Sequence, residues 1–215
     1  MAQQSTPAHP ANVEAQIQTS PVSKDDPIPA PIVKTARLVI RALHPQDAES
    51  MSINGNSPGI ARYMSFTFPN PYTITHGETW IAQNLMPRPN NFGICESSSP
   101  DVVIGGIGLK PGANVYSHTA EVGFWVGEKY WGEGYTTEAL EGFVKWSFES
   151  WRNKDSQKLE RIFGFVYSAN VASMRCFEKC GFAKEGVMKA HAKKHGEFID
   201  IHIFGLPKVD WEGRQ

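Results

Sequence analysis

Between Glu121 and Leu140 the chain reads EVGFWVGEKYWGEGYTTEAL, an apolar run that passes through a glycine-bearing turn into a helical pattern. The turn, Trp131-Gly132-Glu133-Gly134-Tyr135-Thr136, suits an anion. Glycines let the backbone turn tightly and present successive N–H groups, and the helix behind adds its unpaired amides and the positive end of its dipole. One helix dipole is worth roughly 0.3–1 kcal/mol, so several converging amides are needed to hold a diphosphate. Two common nucleotide loops do not fit. No Gly-Lys-Ser/Thr follows, and the third glycine of Gly-x-Gly-x-x-Gly would fall at Thr137. By itself the turn would also serve as a plain strand-to-helix connection.

The sulfur and imidazole groups carry less. Cys176 and Cys180 are spaced for one helix face, but two sulfurs without further ligands make no zinc site, and three cysteines make no disulfide framework. Reduced, packed thiols are expected. His191 and His195, in AHAKKHGE, sit before a glycine in a Lys-rich stretch that suits a solvated hairpin tip. No metal is expected.

The elements that must position the turn follow from periodicity. RLVIRAL (37–43) alternates as a strand, and Pro45 with QDAESMSI opens a helix that ends near Asn54-Gly55. TITHGETWIAQNLM (73–86) is a helix stopped by Pro87, and strands are expected at 91–97, 102–110 and 120–127. Behind the glycine turn, Leu140, Val144, Phe148 and Trp151 form one apolar stripe flanked by Phe143. A strand (159–167), a short helix (170–182) and two strands (182–190 and 197–206) complete the chain. Strands interrupted by helices predict a mixed α/β sheet in a single domain over 34–210. Residues 1–33, rich in Pro, Gln, Ser and Ala and without an aromatic residue, predict a disordered tail.

At this point the chain resembles a family. The strand–turn–helix of 120–140, followed by a strand and then NVASMRCFEKCGF, is similar to the GCN5-related N-acetyltransferases (GNAT), and within them to the RimJ/RimL-like branch. The family's turn motif is Gln/Arg-x-x-Gly-x-Gly/Ala. Gly134 matches its central glycine, whereas Trp131 and Thr136 depart from its ends. The second motif is matched at Asn170, Ser173, Arg175, Glu178, Lys179, Gly181 and Phe182, and the resemblance spans about 35–207.

The resemblance implies a mostly antiparallel GNAT sheet flanked by helices, and acetyl transfer from acetyl-CoA to a protein N-terminal α-amine or a small amine. It implies that the turn amides of Trp131, Gly132, Glu133, Gly134, Tyr135, Thr136 and Thr137 hold the CoA diphosphate. The main chain of Phe124, Trp125 and Val126 would pair with the pantetheine arm, with Asn170 as a further partner. Glu121 is the candidate general base, or else an edge-strand carboxylate facing water. Ser173 is the candidate proton donor to the thiolate, or else a first-turn serine bonded to backbone. Many relatives place a Tyr where this chain has Phe177, and that loss keeps open a second reading, a non-catalytic acyl-CoA-binding sensor or subunit. His118 is expected in the loop before Glu121. Tyr63, Phe66, Phe68, Tyr72 and Trp80 fall on the acceptor side, with 65–74 as a substrate-side loop.

The chemistry sets what a base is worth. A lysine or polyamine amine is neutral about one part in a thousand near pH 7, whereas an N-terminal α-amine is neutral roughly one part in ten. A general base contributes about a hundred- to ten-thousand-fold. A polyamine acceptor would want several carboxylates, and 65–74 carries none.

Composition bounds the rest. With 215 residues, 40 % hydrophobic and 11 % aromatic, the chain can bury one sizeable core without staples. A net charge of −1 disfavours a nucleic-acid partner, and no apolar run is long enough for a membrane span. The expectation is a cytoplasmic monomer or homodimer.

Overall fold

The computed structural model describes residues 22–86 and 88–214. Its sheet begins within the segment expected to be tail. Pro31–Lys34 (β1) pairs antiparallel with Leu38–Ala42 (β2), so the expected boundary at residue 33 falls inside a strand. The prolines of PAPIV hide a short edge strand in which Val33 is buried and Ile32 packs against the core. Most of that expected tail lies outside the described residues.

After β2 come Asp47–Gly55 (α1), Pro58–Tyr63 (α2) and Ile74–Asn84 (α3). The second of these was missed, although Ser57-Pro58 carries its start. The Ser57 hydroxyl accepts from the Gly59 and Ile60 amides, and Pro58 fills the first helical position. The strands Asn91–Glu96 (β3), Ser99–Pro111 (β4) and Thr119–Val126 (β5) follow. Tyr135–Glu149 (α4), Arg161–Tyr167 (β6) and Val171–Lys179 (α5) come next. Last are Ala183–Lys194 (β7), Glu197–Pro207 (β8) and a short terminal helix, Lys208–Glu212 (α6). The final hairpin is longer than expected, its tip reduced to His195-Gly196, both at positive φ.

The strands form one sheet in the order β1-β2-β3-β4-β5-β6-β8-β7. Every neighbouring pair is antiparallel except β5 and β6. Helices cover both faces. On one, the stripe of α4 (Leu140, Phe143, Val144, Phe148) packs with Ala120, Val122, Val126, Ile162, Val166 and Phe204 in the larger core. On the other, Ala48 and Met51 of α1 and Ile81 of α3 pack with Val39, Cys95 and Val103. Alternation along β5 therefore sends Ala120, Val122, Phe124 and Val126 to the α4 face and Glu121, Gly123 and Trp125 to the α1–α3 face.

The entry into α1 is fixed by a buried ion pair. Arg41 and Asp47, both essentially inaccessible, form a bidentate pair at 2.8 and 2.7 Å, and the Asp47 carboxylate also accepts the His44 amide at 2.7 Å. Removing one partner of such a pair costs about 3–5 kcal/mol, so these residues hold α1 against the sheet.

Candidate active site

The site is built where the sheet parts. β5 and β6 pair only at Thr119–Arg161, Ala120–Ile162 and Glu121–Phe163. Beyond that, Val122–Val126 and Gly164–Tyr167 continue as strands without pairing to each other. The result is a V-shaped gap with Glu121 at its vertex. The Gly127 amide donates to Ile104 O on β4, so strand alternation turns the N–H and C=O groups of Val122 and Phe124 away from β4, toward the gap. An extended ligand can pair with these groups as an added strand.

The glycine turn stands at the mouth of this gap. Gly132 and Gly134 lie at φ 82° and 79°, in the left-handed region that side chains disfavour. Gly134 is the N-cap of α4, and no side chain caps that helix. Among the described residues, the amides from Gly132 to Thr137 donate to no protein acceptor. That run of unpartnered N–H groups ahead of a helix of 15 residues has the chemistry to receive an anion.

Trp131 differs from its expected role. Its amide donates to Glu128 O at 3.1 Å, so it offers no N–H to a ligand. Its indole donates to Val126 O at 2.8 Å, which also removes that carbonyl from the free edge of β5. The turn is docked in turn onto α2, since the Ser57 hydroxyl donates to the Glu128 carboxylate.

A residue that sequence reasoning missed braces the turn from the other side. Arg37, in the β1–β2 turn, donates through NH1 to Glu133 O at 3.0 Å and through Nε to Glu138 Oε2 at 2.7 Å. Its guanidinium lies 4.5 Å from the Tyr135 ring centroid, and the Tyr135 phenol donates to Glu96 at 2.8 Å. Glu138 also accepts from Thr35 Oγ1 at 2.6 Å and the Arg37 amide at 2.8 Å. Burial pushes the Glu138 carboxyl up, but these bonds outweigh it and hold the group below the usual carboxylate range. The first turn of α4 is tied to α5 as well: Thr137 Oγ1 donates to Cys176 Sγ at 3.6 Å, and Cys180 Sγ donates to Thr137 O at 3.5 Å. All three cysteines are free.

Glu121 is half-buried on the α1–α3 face, with Lys110 Nζ 3.8 Å from its carboxylate. Trp125, further along the same face, packs edge-on to Phe68 at 5.6 Å, and Phe68 meets Tyr72 at 5.0 Å. Of the five aromatics expected on this side, Tyr72 is core, whereas Phe66 and Trp80 are exposed. His118 is exposed in the loop before β5. Across the open end of the V, Lys194 Nζ at the β7–β8 tip donates to Ala61 O at 2.6 Å and Arg62 O at 3.3 Å. His195 meets Phe66 edge-on at 5.4 Å.

Ser173 and Asn170 lie with α5, on the opposite face. Asn170 caps α5, its Oδ1 accepting the Ser173 amide at 3.1 Å. That cap leaves the Ser173 hydroxyl and the Asn170 amide nitrogen without a protein partner among the described residues. Phe177 is sealed in the core, stacked on Phe204 at 5.5 Å and 5.4 Å from Phe124. A Cβ on Gly164 would meet its ring at 2.3 Å, so this aromatic closes the floor of the gap. No group of three or more His, Cys, Asp or Glu residues is placed for a metal among the described residues.

Comparison with known proteins agrees with this architecture. The sequence model of the acetyltransferase (GNAT) domain family matches residues 37–183. The uncharacterized N-acetyltransferase p20 of Bacillus licheniformis is 28 % identical over 184 residues, covering 83 % of this chain and 97 % of p20. A GNAT-family acetyltransferase from Bacillus anthracis superposes with a TM-score of 0.70 at 23 % identity, over 82 % of this chain and 98 % of that one. The ribosomal-protein-S5-alanine acetyltransferase of Vibrio fischeri gives 0.65 at 20 % identity, over 83 % and 97 %.

Proposed function

The chain belongs to the GNAT acetyltransferase family and moves the acetyl group of acetyl-CoA to an amine, and we propose that the acceptor attacks from the Glu121 face while the thiol departs toward α5. The observation that carries this is the parting of β5 and β6 at Glu121, which leaves one carboxylate at the vertex and a free strand edge leading away from it. The Gly132–Thr137 amides hold the diphosphate, and the Val122 and Phe124 backbone groups hold the pantetheine arm. The arm's acetyl end then reaches the vertex.

The reaction needs a neutral amine, a site for the tetrahedral oxyanion and a proton for the thiolate. Glu121 takes the amine's proton, directly or through one water. Ser173, across the sheet with its hydroxyl uncommitted, donates to the departing sulfur. Phe177 has no proton to give and serves as an apolar floor. The acceptor is a peptide α-amine or a small monoamine. The acceptor side is built of Trp125, Phe68 and Tyr72, its carboxylate Glu121 already faces Lys110 at 3.8 Å, and the 65–74 loop adds no acid, a poor setting for a polycation.

The test is thiol release from acetyl-CoA across N-terminal peptides, small amines and spermidine, for the wild type and Glu121→Gln. The variant should lose about a hundredfold or more in kcat while its Kd for acetyl-CoA stays unchanged, and the loss should shrink at high pH, where more amine is already neutral. An unchanged rate would remove Glu121 as base.

A further inference from the structure

We propose that Arg37 is the side-chain cation of the diphosphate site, reaching the turn from the β1–β2 hairpin. The turn carries no Lys or Arg of its own, and the motif position that brings one in relatives is Trp131, whose indole is committed to Val126 O. Lys129, just upstream, lies 4.8 Å from the Tyr130 ring centroid and has no bond to the turn.

Arg37 meets the geometric requirement instead. A Cβ built on Gly134 would lie 3.7 Å from Arg37 NH2, with no other atom within contact range, so the guanidinium borders the open space in front of the turn glycine. Its orientation is fixed by Glu138 through Nε and NH2, both at 2.7 Å, and by Glu133 O through NH1. A guanidinium has five N–H donors, and the two hydrogen bonds through Nε and Nη1, with the ion-pair contact of Nη2, leave a hydrogen on Nη1 and one on Nη2 unengaged. The two remaining donors sit on a part-exposed fork beside the run of free amides. A diphosphate oxygen held by those amides can accept from the fork as a charge-assisted bond. Glu138 lies behind the guanidinium and its oxygens are occupied by Thr35, the Arg37 amide and the fork itself, so it orients Arg37 without competing for the front.

This inference rests on the turn being the diphosphate site, and the experiment separates the two. Acetyl-CoA binding is titrated by calorimetry for the wild type, Arg37→Gln and Arg37→Lys, and kcat/KM is measured with S-acetylpantetheine, a donor that lacks the diphosphate. Arg37→Gln should raise the Kd for acetyl-CoA about tenfold or more, the scale of one hydrogen bond to a charged group. It should leave kcat/KM with S-acetylpantetheine within about twofold. Arg37→Lys keeps the charge but loses the fork held by Glu133 and Glu138, and its Kd for acetyl-CoA should fall between those of the wild type and Arg37→Gln. An unchanged Kd in Arg37→Gln would overturn the proposal. So would equal losses in the Gln and Lys variants, or the same loss with both donors, because each marks a structural brace. No binding of acetyl-CoA by the wild type would instead overturn the reading of the turn, and this inference with it.

Discussion

At the scale of single residues, the candidate site depends on two kinds of group, backbone amides that must stay free and side chains that must stay uncommitted. Gly134 belongs to the first. At φ 79° a side chain is strained whatever the space around it, and a Cβ there points toward Arg37 and the front of the turn. Gly134→Val should therefore weaken acetyl-CoA binding about tenfold or more, and calorimetric titration reads this directly; an intact Kd would contradict the assignment of the turn. The glycine pair was legible in the sequence because few other residues sit between a strand and a helix in that conformation. Arg37 was not. In RLVIRAL it occupies a regular place in an alternating strand pattern, and its partners Glu133 and Glu138 lie about a hundred residues away. Trp131 misled in the opposite sense, because it stands in the motif yet its amide and indole are both engaged within the protein.

At the scale of elements, the β1–β2 hairpin acts as a clamp on the first turn of α4. Thr35 and Arg37 together surround the Glu138 carboxylate, and Glu138 is the acidic residue of that first turn. The clamp has a pH signature. Since the folded-state pKa of Glu138 is lowered from an ordinary value of 4.5, its contribution is fully present above about pH 4.5 and is lost as pH falls through the lower folded value. Glu138→Gln should cost about 1 kcal/mol at neutral pH, held small by the part-exposed guanidinium, and the difference from wild type should close in acid. Urea unfolding at neutral pH and near pH 3 measures this, and a deficit that persisted undiminished in acid would assign it to packing. Most elements were readable from periodicity because each buries one face. Leu140, Phe143, Val144 and Phe148 of α4 are buried, as their spacing demanded, whereas Trp151, expected on the same stripe, is buried two residues beyond the helix's end. The elements that escaped are the short ones, β1, α2 and α6, whose apolar faces are too brief to show a period and whose places are set by contacts across the sheet.

At the scale of the whole molecule, the parted strands make the sheet two halves with few ties. The β1–β5 half meets the β6–β8 half in the sheet at three residue pairs, Thr119 to Glu121 against Arg161 to Phe163. Lys194 supplies a tie at the open end, from the β7–β8 tip to the carbonyls at the end of α2, and α4 and α5 pack across one face. A cosubstrate whose diphosphate sits on the α4 turn and whose arm lies along β5 would fill the unpaired stretch and couple the halves. Binding only to the folded state stabilises it by about 2.7 kcal/mol at a hundredfold excess over Kd. For a domain of this size that corresponds to a rise in Tm of about 5–10 °C. The two fragments of the cosubstrate should do less than the whole, because adenosine 3′,5′-bisphosphate alone leaves the strand edge open and pantetheine alone leaves the turn open. Thermal melts with acetyl-CoA, each fragment and both fragments together would show this. In the same complex, amide exchange should slow at Val122 and Phe124 and at Gly132–Thr137. A Tm that rose without protection at the β5 edge would place the ligand on the turn alone, and the proposed path of the arm to Glu121 would fail.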